Sequence, residues 1–377
     1  MSTANEQKVF FPNLDGLRYV AFFAVFVQHA LGLGLEPHFP KSYVMNKLTN
    51  FLIWSGGSGV SLFFVLSGFL ITYLLLKEYE KNGRIDVGAF YVRRTLRIWP
   101  LYFALVLFGL FVYAPLEGFY QQLNSEKWKY LFFAGNFACL QPGGNIHPIS
   151  ITWSVAVEEQ FYLVWPLLFA FTPRKWWLFI CPLVMLLSLG FRIMHYDEAI
   201  TVLYFNSFAL IYDMALGGLC AYLSLNNKGF KSFFEQLKNH FRLLIYISGF
   251  LILIFGTRIL PETGYYVYLR LCSTALFAFI ICDQCFNLST VAKFGNVAFL
   301  TRWGKYTYGM YLLHPVVQEY TARAAKPLLY QVSEVPLLFV NALLALVATH
   351  AVCYLSYKYF ESPFLKLKKK FSYISRD

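Results

Sequence analysis

Ten apolar stretches, each close to 20 residues long, follow one another along this chain of 377 residues. They fall at 14–34, 55–76, 94–114, 151–171, 176–192, 201–224, 241–260, 264–285, 303–321 and 335–357. A helix of about 20 apolar residues crosses the hydrocarbon core of a bilayer once. Only 14% of residues are charged and 58% are hydrophobic, whereas a soluble domain carries about 25% charged residues. Too little charge remains to cover a water-facing surface, so the apolar excess must face lipid. The expectation is an all-α, polytopic integral membrane bundle of about ten transmembrane helices. It forms a single domain over 1–377, with a core at about 10–365 and a short basic tail at 366–377. The shorter stretch from Trp128 to Leu140 is too short to cross and reads as a re-entrant or interfacial segment on the outer side.

The net charge of +12 does not point to nucleic acid. Basic residues sit in short clusters between apolar stretches, as the positive-inside rule predicts, rather than along one continuous face. With a cytoplasmic N-terminus, ten spans place 22 of the 32 basic residues inside and 8 outside, with Arg18 and Arg270 within spans. That bias predicts both termini in the cytoplasm, and a crossing at 128–140 would invert every later loop and destroy it. The first apolar stretch is too long for a signal-peptide core and lacks a small-x-small cleavage site, so it is expected to stay in the mature protein. The seven cysteines lie mostly inside apolar runs. Cys282 and Cys285 form a close pair, but no second ligand pair accompanies them, so they read as buried small hydrophobes and no metal site is expected.

A charged side chain in the hydrocarbon region costs several kcal/mol unless it faces the bundle interior, which makes each such residue a functional candidate. Arg18 and His29 lie eleven residues apart on the first stretch. In a regular helix that spacing returns nearly the same azimuth after a rise of about 16 Å. An arginine snorkelling at a helix end together with a satisfied core histidine explains the pair equally simply. Arg94 and Arg97 share a helix face, a spacing suited to gripping phosphate and equally to anchoring at the membrane surface. Gly59, Ser67 and Gly68 permit close helix approach or backbone access to a ligand. Glu158 and Glu159 lie about two turns into an apolar helix, where lipid exposure is excluded by cost. Asp213, Arg270, Asp283 and His314 complete a polar set that requires a polar interior or a water-filled cavity.

Several blocks in fixed order resemble the membrane acyltransferase family 3 proteins. They are the Arg18-x10-His29 pair, FFVLSGFLI from Phe63 to Ile71, RTLRIWPLYF from Arg94 to Phe103, and WSVAVEEQFYLVWP from Trp153 to Pro166. YTYGMYLLHP from Tyr306 to Pro315 and FESPF from Phe360 to Phe364 follow. Two positions depart from the family pattern: Ser362 stands where arginine is usual, and Asp213 where a glutamate is expected. Some members carry a fused SGNH-type esterase domain, and the expectation here is the acyltransferase domain alone.

The resemblance implies O-acyl transfer, most simply of acetyl, from cytoplasmic acyl-CoA to a hydroxyl of a cell-surface glycan or lipid-linked saccharide. It also implies a bacterial cytoplasmic (inner) membrane, with acetyl-CoA as co-substrate and no tightly bound cofactor. Arg94, Arg97 and Arg18 would then meet the CoA phosphates. His29 would serve as general base, since an acyl transfer to a hydroxyl needs a base near neutral pH, with Arg18 and Glu158 supporting catalysis. Trp153, Ser154, Glu159 and His314 would line the acceptor side. A polytopic transporter of a small anionic or glycan substrate is the competing reading. No inverted repeat with matching broken helices supports it.

Overall fold

The computed structural model describes residues 11–32, 43–141, 147–198, 200–255, 265–289, 291–327 and 334–371. The ends of the expected stretches 14–34 and 241–260, the first residue of that at 264–285, and the tail end 372–377 lie outside them. Among the described residues the regular structure is helical. α1 spans Pro12–Val27, α2 Tyr43–Asn82 and α3 Val87–Phe108. Two short helices follow, α4 at Tyr120–Leu131 and α5 at Gly135–Ala138. α6 spans Trp153–Phe171, α7 Trp177–Met194, α8 Ile200–Phe205 and α9 Ser207–Asn226. α10 at Lys228–Gln236 leads into α11 at Asn239–Phe255. α12 spans Arg270–Phe286, α13 Ala298–Gly304, α14 Thr307–Ala325, α15 Glu334–Leu355 and α16 Ser362–Lys369.

Local chemistry sets several helix starts. Pro12 occupies the first turn of α1, where its missing N–H costs nothing, and Asp15 follows in the same turn. Asp86 caps α3 by accepting the Ala89 N–H at 2.8 Å. Asn206 and Asn227 do the same for α9 and α10, each accepting a backbone N–H at 3.0 Å.

The count of ten spans is not met by length and apolarity. Six helical stretches among the described residues are long and apolar enough to cross a membrane, or seven if α10 and α11, bent by 94°, form one broken span. α1, α6 and α14 lie at three of the expected stretches but are not among them. Their polar residues, Arg18 and His29, Glu158 and Glu159, and His314, lower the apolarity of those helices. The window 128–140 is not one helix: α4 and α5 are separated by Phe133, whose φ is 53°.

The outward faces suit lipid. Leu163 on α6, Leu187 on α7 and Leu343 on α15 are each more than 60% exposed, an arrangement that water would penalise and acyl chains do not. Inside, α2 and α9 cross with their backbones nearly touching. A Cβ on Gly68 would lie 1.9 Å from the Met214 carbonyl oxygen, and one on Gly217 would lie 2.1 Å from that of Val65. A Cβ on Gly59 would likewise lie 2.6 Å from the Ala21 carbonyl oxygen on α1. Of the two roles open to Gly59 and Gly68, the structure gives them close helix approach. These crossings bring α1, α2 and α9 together; α14 packs on α1 through His29 and His314, and α6 meets α2 through Glu158 and Ser67. Cys139, Cys181, Cys220, Cys282 and Cys353 are buried; Cys285 is partly buried and Cys272 exposed.

Candidate functional site

Two histidines from opposite ends of the sequence meet inside the bundle. α1 passes into a π-helical segment at Gln28–Gly32, and that segment carries His29. Such turns are rare and are found frequently at functional sites. The wider turn also means that the regular register aligning Arg18 with His29 does not hold through residue 29. His29 Nδ1 lies 2.8 Å from His314 Nε2, with the rings stacked at 15° and 5.1 Å between centroids. His314 is fully buried on α14, and its Nδ1 faces the backbone carbonyls of Met310 at 3.0 Å and Tyr311 at 2.8 Å. Phe22 and Phe26 from α1 pack against its ring.

Polar contacts continue along the facing helices. Tyr311, one turn before His314, has its hydroxyl 2.7 Å from Ser154 Oγ on α6. Ser154 and Glu158 are four residues apart and share a helix face. Glu158 accepts hydrogen bonds from Ser67 Oγ at 2.7 Å and from the Tyr162 hydroxyl at 3.1 Å. Glu159 points elsewhere, accepting the Trp99 indole N–H at 2.9 Å from α3. The two adjacent glutamates therefore serve different helix interfaces. Trp153 is buried edge-on to Phe64 and Phe205, within the apolar core.

Arginines gather at the far end of this polar line. Arg94 lies between the Phe90 and Tyr162 rings, 5.5 Å from each centroid, and its buried Nε has no hydrogen-bond partner. Its charge and that of Arg97 both act on Glu158. Arg97 is also close enough to Arg18 and to Glu361 for its charge to act on them. Among the described residues neither Arg94 nor Arg97 closes an ion pair, whereas Arg93 pairs with Glu78 at 2.8 Å and donates to the Phe371 carbonyl. Arg18 pairs with Asp15 on its own helix. The basic cluster of the sequence thus divides into one tethered arginine and two unpaired ones.

Two further pairs of buried charges meet across helices. Arg270 meets Asp213 at 2.6 Å, and Thr274 adds a hydrogen bond of 2.8 Å to the same carboxylate. Arg242 meets Asp283 through two nitrogens at 2.6 and 2.7 Å. The shorter Asp213 side chain therefore has a structural partner in place.

Sequence reasoning missed Ser67 as a polar partner, together with Tyr311, Tyr162 and Glu361. Tyr311 stands three residues before His314, and Tyr162 four after Glu158, so helical spacing from the chosen residues would have found both. Glu361 lies beside Gly309 of α14 and accepts from Ser356 Oγ at 3.1 Å. It sits in the quoted FESPF block but carries no spacing signal.

Comparison with known proteins gives this geometry its context. The acyltransferase domain family matches residues 11–358. O-acetyltransferase OatA of Staphylococcus aureus (strain NCTC 8325) is 28% identical over 387 residues, covering 95% of this chain and 57% of the relative. Peptidoglycan O-acetyltransferase OatA of Listeria monocytogenes serovar 1/2a is 30% identical over 175 residues, 44% of this chain and 25% of the relative. The chain therefore spans less than two thirds of the length of these relatives. No solved structure matches it. With the family match running across residues 11–358, nearly its whole length, the chain belongs to the acyltransferase family.

Proposed function

We propose that this protein is an acyl-CoA-dependent O-acyltransferase of a bacterial cytoplasmic membrane, with both termini in the cytoplasm. It carries an acyl group, most simply acetyl, to a hydroxyl of a cell-surface glycan or its lipid-linked precursor. The observation that carries the reading is a succession of polar groups facing the same interior: Arg94 and Arg97, unpaired among the described residues, whose charges act on Glu158; Ser154 one turn from Glu158 and bonded to Tyr311; and the His29–His314 pair. The Listeria relative is named for peptidoglycan, which makes an envelope glycan the favoured acceptor class.

In this mechanism Arg94 and Arg97 hold the CoA phosphates, for which guanidinium forks without a carboxylate partner are suited. The pantetheine arm then extends along the polar interior toward His29. The acceptor oxygen attacks the thioester carbonyl as His29 takes its proton. The tetrahedral intermediate collapses with cleavage of the C–S bond, and the proton leaves with the CoA thiolate to give free CoA and the O-ester. Glu158 orients the acceptor, and Arg18 stabilises the phosphate end.

The test is acceptor-dependent release of free CoA by protein purified into lipid vesicles, with mass analysis of the recovered glycan. The expected result is one CoA released for each ester formed. Transport of labelled glycan without CoA release would contradict the proposal.

A further inference from the structure

We propose that His314 is a positioning residue: it fixes the tautomer of His29 and leaves His29 Nε2 as the proton-accepting nitrogen. The proposal rests on the reading of His29 as the base and assigns His314 a role distinct from acceptor binding.

Two backbone carbonyls, which only accept hydrogen bonds, set the tautomer. Both face His314 Nδ1, at 3.0 and 2.8 Å, so that nitrogen carries a hydrogen. In a neutral imidazole the second nitrogen is then a lone-pair acceptor. That nitrogen, Nε2, faces His29 Nδ1 at 2.8 Å. Two lone pairs cannot share a contact of this length, so His29 Nδ1 carries the hydrogen and donates it.

A doubly protonated His314 would reverse the bond, and its surroundings argue against it. The side chain is fully buried, and its described neighbours are two carbonyls, His29 and the rings of Phe22, Phe26 and Tyr311. None is a carboxylate, and a buried charge without a counter-charge is costly. His314 is therefore neutral at rest and each ring carries a hydrogen on Nδ1; a neutral His29, as the base role requires, then holds its lone pair on Nε2.

One consequence concerns the free nitrogen. His29 Nε2 keeps its lone pair, and no described residue makes a hydrogen bond to it. When it takes a proton, the Nδ1–H bond to His314 becomes charge-assisted and strengthens. A carboxylate behind a histidine does the same for other bases; here a second neutral histidine, itself oriented by its own helix, takes that place.

Three substitutions separate positioning from simple packing. His314→Ala removes the acceptor and the volume, His314→Phe restores volume alone, and His314→Gln restores an acceptor oxygen. Each variant is purified, checked for an unchanged melting temperature, and assayed for kcat and for KM toward acetyl-CoA. We expect kcat to fall about 10- to 100-fold in His314→Ala and His314→Phe, with KM changed less than about twofold, and to recover substantially in His314→Gln. Nitrogen-15 spectra of labelled histidine should show His29 protonated on Nδ1 in the parent protein and on both nitrogens in alternation in His314→Ala. Recovery by Phe but not Gln, or full kcat in His314→Ala beside an inactive His29→Ala, overturns the positioning role and spares the base. Full activity in His29→Ala overturns the base itself and this proposal with it.

Discussion

Two arginine sites in this molecule differ in whether their charges are satisfied. Between α11 and α12, Arg242 is held by both oxygens of Asp283, while Tyr246 donates to one of those oxygens at 2.6 Å and Asn239 accepts from the guanidinium at 2.8 Å. Between α3 and α6, Arg94 has aromatic rings on two sides, an Nε without a partner, and no ion pair among the described residues. Both arginines belong to the basic clusters that orient a membrane protein, yet they do different work. The first spends its charge on joining two helices; the second leaves charge available to an anionic ligand. Positive charge alone does not distinguish them. The partner does.

The contrast can be broken from either side. The largest effect on folding is expected from Asp283→Asn, which strands a buried guanidinium and should destabilise the protein by about 3–5 kcal/mol. Detergent melting should show the loss, while acyl transfer per folded molecule stays at the parent level. A variant that melts normally would place Asp283 outside the structural class.

Next in size are Arg94→Ala and Arg97→Ala. Charge-assisted hydrogen bonds are worth about 1.5–3 kcal/mol, so each should weaken acyl-CoA binding by roughly 10- to 100-fold with melting preserved. Titration of the purified variants with acetyl-CoA reads this directly, and unchanged affinity would leave the unpaired arginines without a ligand.

The smallest effect sharpens the same contrast among histidines. His350 is satisfied at both nitrogens, facing the Leu346 carbonyl at 2.7 Å and the Tyr19 hydroxyl at 3.0 Å. His350→Gln should cost about 1 kcal/mol of stability and leave kcat unchanged. A large fall in kcat would mean that closed hydrogen bonding does not mark a structural histidine here.

Much of this was legible from the chain. Apolar stretches located the helices, and the cost of burying charge picked out Arg18, His29, Glu158, Asp213, Asp283 and His314 for attention. The partners were not legible, because they depend on contacts between distant segments. His29 and His314 are separated by 285 residues, Arg270 and Asp213 by 57. Nor did the sequence announce the π turn at Gln28, which lies in an unremarkable apolar run. Adjacent Glu158 and Glu159 read as one feature, although successive residues on a helix point about 100° apart and so meet different neighbours. The span count suffered for a related reason: the helices that hold the polar interior are the ones whose composition looks least like a membrane crossing.

His29, with one ring nitrogen free of any described partner, is the proposed chemical centre of this polar interior. Its most direct test is acetyl transfer per folded molecule by His29→Ala, purified into vesicles beside the parent protein and matched for melting temperature. A fall in kcat on the order of 10²- to 10⁴-fold is expected, with acetyl-CoA affinity retained. Parent-level turnover in that variant would contradict it.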